Sequence, residues 1–214
     1  MAQRRSYVQT SQNAFTPQAL NIIVDGRLYN FTLIHITIDV THRIDKRQRT
    51  NEHLHDVFHM VVYTEGVNAF TFRGKARPVL PGTVALTSPG EPHNFLVLKK
   101  GAAVYSEMTF AYRGLDNEPL RIGFDRLLSV FAGIDLPVIR FPVVLPGQKT
   151  REMKTLLEHT LDRLESTSHL SNMMAAQTII ALFALIIREC FLPKEQDQYP
   201  AFTPIQRVQS YLEA

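Results

Sequence analysis

The residues best suited to chemistry in this chain are histidines. Three of the eight fall in one short stretch, His53-Leu54-His55-Asp56-Val57-Phe58-His59-Met60-Val61-Val62-Tyr63. In an extended strand alternate side chains share a face. The odd-numbered set His53, His55, Val57, His59, Val61 and Tyr63 therefore projects together, and Leu54, Asp56, Phe58, Met60, Val62 and Thr64 project the other way. His59 lies further along than the first two, so twist or a bulge must gather the rings. His93 follows the turn Ser88-Pro89-Gly90-Glu91-Pro92 and opens another strand, from which it can complete the cluster. Neutral imidazoles suit one divalent transition metal, zinc or nickel before iron. The same residues also fit a metal-free reading, in which they pair with carboxylates or line a pocket as hydrogen-bonding groups. Spacing alone leaves both readings open.

The surrounding elements must deliver these rings. From Asn21 to Leu98 short runs of Val, Ile, Phe, Tyr and Thr alternate with turn signals such as Asp25-Gly26, Arg73-Gly74 and Pro81-Gly82. Such regular punctuation predicts a barrel or sandwich. A further strand is expected over Ala102 to Phe110. Tyr63, Phe70, Phe72, Tyr105 and Glu107 are candidates to share the interior with the histidines, as ligand-binding groups or as packing. For the last two, the opposite face would carry Val104, Ser106, Met108 and Phe110.

After the strands the texture becomes helical. Phe124 to Phe131 reads as a short helix, and Pro137, Pro142 and Pro146 interrupt an extended stretch. Gly147 precedes a helix with Met153, Leu156, Leu157, Leu161 and Leu164 on one stripe and charged residues elsewhere. A second helix follows the Ser-Thr-Ser break at 166–168. Met173, Met174, Ile179, Ile180, Leu182, Phe183, Leu185, Ile186 and Ile187 make it apolar nearly all round, so it must be covered on two sides. The barrel can cover one. A partner chain, or the preceding helix, can cover the other. Leu170 to Ile187 carries no charge, but Ser171, Asn172, Gln177 and Thr178 leave its continuously apolar part too short for a membrane span.

Composition narrows the class. With 214 residues and 45% hydrophobic, the chain can build a core without disulfides or metal. A net charge of +3 is no nucleic-acid footprint, and the basic run Arg43 to Arg49 reads as a solvated loop. The single cysteine, Cys190, sits in an apolar run, which fits a small buried residue and a reducing cytoplasm. No secretory signal, Gly-rich phosphate loop, Ser nucleophile elbow or Cys-x-x-Cys pair is visible. Pro193 to Pro200 resembles a linker. Thr203-Pro204 then caps and opens a new helix running to Leu212.

The histidine stretch resembles the first cupin motif, in which two histidines one residue apart precede a glutamate and then a glycine. His53, His55 and Gly66 match, and His59 stands where the glutamate is usual. Gly82, Pro89 and His93 outline the second motif. The wider arrangement, with His55-Asp56-Val57-Phe58 before a strand, the Ser88 to His93 turn and the helix start at Thr203, resembles the AraC family of transcription regulators. The resemblance implies a mainly β fold with C-terminal helices: a cupin-type (double-stranded β-helix or jelly-roll) barrel plus a helical dimerisation segment. It implies an N-terminal arm (1–18), a sensing barrel (19–145), dimerisation helices (146–192), a linker (193–202) and the start of a DNA-binding domain (203–214). On this reading the chain is a cytoplasmic homodimer and no enzyme. It senses a small-molecule effector, meets no membrane, and binds DNA only through a domain that follows. The alternative is a stand-alone metal-dependent cupin enzyme of dioxygenase or isomerase type.

Overall fold

The structure is a computed structural model that describes residues 5–8, 15–43, 52–95, 102–139, 141–166 and 168–192. Most of the basic run, the linker and the helix start at Thr203 lie outside the described residues.

Among the described residues, ten strands and three α-helices follow in chain order. The strands are β1 (Arg5–Val8), β2 (Ile22–Val24), β3 (Arg27–Arg43), β4 (Phe58–Glu65), β5 (Asn68–Phe72), β6 (Lys75–Val79), β7 (Thr83–Thr87), β8 (His93–Asn94), β9 (Ala102–Arg113) and β10 (Val143–Val144). The helices are α1 (Phe124–Ala132), α2 (Gly147–Leu164) and α3 (His169–Ile186). The larger sheet runs β1-β3-β9-β4-β7-β10 with β2 also on β3, and the smaller runs β6-β5-β8. All pairings are antiparallel. Two-residue hairpins join β2 to β3 and β5 to β6. At Asp25-Gly26 and Arg73-Gly74 both central residues have positive φ, the geometry that matches strand twist. Gly66 admits nothing larger, because a Cβ there would meet the Ala102 carbonyl oxygen at 2.1 Å.

The two faces of the larger sheet do different work. One face presents Phe58, Met60, Val62, Met108, Phe110 and Tyr112 to the helices, in a core continuous with Leu157, Leu182 and Phe183. The other faces the smaller sheet, and Val61, Tyr63, Ala85, Ala103 and Tyr105 meet Phe70, Phe72 and Val79 across the interior. These two sheets enclose the expected barrel interior, with the helices behind.

The structure alters four sequence expectations. The stretch from His53 to Tyr63 is not one strand, because β4 begins at Phe58. Upstream, Asp56 and Val57 form a bend held by Arg121, 2.9 Å from the Asp56 carboxylate. Part of the expected arm is strand β1 on the edge of β3, with Arg5 reaching Asp162 and Glu165 of α2. Helix α3 buries Ala176, Ile179, Leu182, Phe183 and Ile186 within the chain and leaves Met173, Gln177, Ala181 and Ala184 exposed. It is long and apolar enough to cross a membrane, and its buried side packs on α2 and the sheet. Cys190 is partly buried, and desolvation pushes its thiol up to about 12.

Candidate metal centre

His53 and His55 sit on the loop before β4, and that loop is tied down by backbone bonds. His53 and His93 exchange both N–H···O bonds at 3.0 Å. The Gly90 N–H donates to the His55 carbonyl at 3.0 Å. The Glu52 carboxylate accepts the Gly74 N–H at 2.8 and 2.9 Å, tying the loop to the β5–β6 hairpin. Glu91 pairs with Arg73 and accepts the Ser88 N–H at 2.8 Å, fixing the turn that carries His93. The bend at Asp56-Val57 folds the loop back over the first residues of β4. That bend gathers His59 with the other two where twist alone would leave them spread.

The rings converge. Centroids are 4.4 Å apart for His55 and His59, 4.8 Å for His53 and His93, 4.8 Å for His55 and His93, and 5.1 Å for His59 and His93. His53, His55 and His93 each offer a ligand atom, all within 4.8 Å of one another. Ligation at about 2.1 Å needs nitrogens no more than about 4.2 Å apart, so a set spread over up to 4.8 Å must contract to close on an ion. His93 donates from Nδ1 to the Glu91 carbonyl at 2.7 Å, since a carbonyl can only accept. Its Nε2 then carries a lone pair, and this atom is buried with no hydrogen-bond partner. Nδ1 of His55 is orphaned in the same way. Buried imidazole nitrogens without partners are costly unless something takes up the lone pairs. The donor set thus fits a divalent transition ion.

Burial favours the neutral form of His55, His59 and His93. Burial, and then the neighbouring His93 and His53, lower His55 to about 4. Burial pushes His59 well below its ordinary value, with His55 adding to the effect. Burial also lowers His93. Neutral imidazole is the form that ligates metal. His53 is exposed, so the cluster opens to solvent on that side.

The expected pocket residues lie on the same interior. Tyr63, Phe70, Phe72 and Tyr105 are buried there. Tyr63 stacks on Phe70 at 5.9 Å and lies 5.8 Å from Tyr105. Burial raises the Tyr63 phenol, which donates to the Phe95 carbonyl at 3.3 Å. Phe95 bridges this aromatic group to the histidines, 4.8 Å from His93 and 5.4 Å from Phe70. Glu107 also faces inward, paired with His35. Three residues escaped the sequence reading: Phe95, Thr109 and His35. The alternation that marks Tyr105 and Glu107 as interior extends to Thr109, and Phe95 sits two residues beyond His93. His35 carried no such signal. A register shift in β3 between Leu33 and His35 breaks the alternation, so Leu33 faces the helices while His35 faces Glu107.

Two packed antiparallel sheets with convergent histidines between them define a cupin-type barrel. Residues 35–183 match the family described as AraC-like ligand binding domain, and the chain belongs to that family. Similar solved structures include the AraC-like transcriptional activator CuxR, at 11% identity and TM-score 0.38, covering 98% of this chain and 69% of that one. A cupin 2 domain-containing protein from Halorhodospira halophila matches at 12% and 0.29, covering 62% of this chain and 94% of its own. The DMSP lyase DddQ from Ruegeria pomeroyi DSS-3 matches at 16% and 0.26, covering 56% and 60%. No curated protein matches the chain.

Proposed function

We propose that this barrel is the effector-sensing and dimerisation domain of a cytoplasmic AraC-like transcription regulator, and that it senses its effector beside one divalent transition ion. The observation that carries the reading is the convergence of His53, His55 and His93 with unpartnered buried nitrogens on two of them. Their imidazoles would hold the ion, zinc or nickel before iron. Bound there, it would supply a Lewis acid for an oxygen group of the effector. Neutral ligands leave its charge uncompensated, so an anionic oxygen donor is favoured. The exposed His53 side admits the ligand, and Phe95, Phe70 and Tyr63 form an apolar wall behind the rings. Thermal-shift screening of sugars, organic acids and aromatic acids tests this, with and without zinc. An acid should stabilise the zinc-loaded chain by several degrees more than the metal-free chain. Equal shifts in both forms would refute the role of the ion.

The helices carry the second part. Met173, Gln177 and Ala181 form an exposed strip on α3, and the last two line a groove of about 250 Å³ together with Met174, Thr178, His159 and Arg163. This strip, rather than the buried Ile179 and Ile186, is the proposed dimer contact. Light scattering should give a dimer at micromolar concentration and a monomer for Ala181→Glu. A monomeric wild type would exclude it.

The histidine cluster also favours a second reading, a metal-dependent cupin enzyme. Turnover of any bound acid by the zinc- or iron-loaded chain would decide for that reading.

A further inference from the structure

His59 differs from His55 and His93 in that both its ring nitrogens have partners inside the protein. Nδ1 lies 2.8 Å from Thr109 Oγ1, and Nε2 lies 2.7 Å from Nε2 of His55. By contrast, Nδ1 of His55 and Nε2 of His93 are buried without a hydrogen-bond partner. The group whose ligand atoms come within 4.8 Å of one another contains His53, His55 and His93 but not His59.

In the metal-free chain, two ring nitrogens at 2.7 Å share one proton, so one imidazole donates to the other. If His59 donates, the proton of a neutral His55 sits on Nδ1. That buried N–H has no acceptor in a neighbouring residue and only its own residue's backbone carbonyl nearby, so it is poorly satisfied. If His55 donates, its Nδ1 carries a lone pair, as Nε2 of His93 already does. An ion can take up both. The proton of His59 then sits on Nδ1, where the Thr109 oxygen accepts it.

We propose that His59 is a positioning residue and not a fourth ligand: it accepts the Nε2–H of His55, donates its own Nδ1–H to Thr109, and so fixes His55 in the tautomer whose Nδ1 binds the ion together with His53 and His93. The proposal rests on reading the cluster as a metal site. Thr109 is itself held, since its hydroxyl lies 3.1 Å from Nε2 of His35, the nitrogen that pairs with Glu107. Partners that orient a ligating imidazole in this way are worth roughly 10–100-fold in metal affinity.

X-ray absorption of the zinc-loaded full chain counts the ligating imidazoles. Three are expected, and four would overturn the proposal. Long-range proton–nitrogen NMR of the metal-free chain should find His55 protonated at Nε2 and His59 at Nδ1. The reverse assignment would overturn it independently of any metal. His59→Leu should weaken zinc binding roughly 10–100-fold, whereas His59→Gln, whose amide oxygen can accept from His55, should stay within about 5-fold of wild type. Equal losses in the two variants would count against positioning. A chain that binds no zinc yet shows the expected tautomers would sink the metal reading and leave the hydrogen-bond direction standing.

Discussion

The two faces of strand β4 separate what holds this domain together from what it does. Phe58, Met60 and Val62 point into the layer shared with the helices, where buried side chains are almost all apolar. His59, Val61 and Tyr63, one residue out of step, point into the barrel, where His59, His93, Thr109 and partly buried Glu107 sit among aromatics. Polar groups are tolerated inside only with partners or a ligand to satisfy them. The layer between sheet and helices therefore carries stability, and the histidine end of the barrel, the proposed sensing site, holds its polar groups at some cost to stability.

The largest effect that would break this division is a charge in the helix layer. Leu182 and Ile179 are fully buried. Leu182→Asp or Ile179→Glu should cost about 4 kcal/mol or more, a large part of the roughly 5–15 kcal/mol that holds a domain. Circular dichroism should show no cooperative melting transition. A folded variant with near-normal melting would mean that this layer is not the stabilising core.

His93→Ala or His55→Ala should do the opposite. Either change removes a ligand and a desolvated imidazole together, so the metal-free melting temperature should move by less than about 4 °C. Zinc affinity should fall by about 100-fold or more. Titration calorimetry beside thermal melting reads both. A collapse of the fold with unchanged zinc binding would invert the comparison.

The smallest effect is the response to acid. His55 titrates at about 4 in the folded chain against an ordinary 6.5, because burial and its neighbours disfavour the charged ring. The unfolded chain then binds more protons between these values, so stability rises with pH in that window. The contribution is fully present above about pH 6.5 and is lost as pH falls towards 4. His59 and His93 shift in the same direction. The metal-free chain should melt progressively lower on that descent, and less steeply in His55→Ala. A melting temperature that climbs between pH 6.5 and 5 would contradict neutral buried rings.

Period-two alternation made much of the site legible before any coordinates. It placed His59, Val61 and Tyr63 on one face, and it put Tyr105 with Glu107 on one face of their strand while leaving open which face is interior; the Ser88–Pro92 turn announced His93. The helices were visible in their stripes, α1 within a residue of its observed end. What the sequence hid came from broken alternation. The bend at Asp56-Val57 turns the expected first strand into a loop, so His53 bridges His93 and does not extend β4. The register shift in β3 brings His35 inward. Bends and shifts of this kind are set by contacts such as Asp56 with Arg121, which no local pattern announces. The all-apolar pattern of α3 likewise could not say which side the chain covers itself.

The most direct test is the metal content of the untagged chain, stripped and then reconstituted separately with zinc, nickel and iron. Elemental analysis after removal of free ion should find about one ion per chain with zinc or nickel, bound through imidazole nitrogens at roughly 2.0–2.1 Å. Less than about a tenth of an ion per chain with all three would contradict the account and leave His53, His55 and His93 as the polar lining of a barrel.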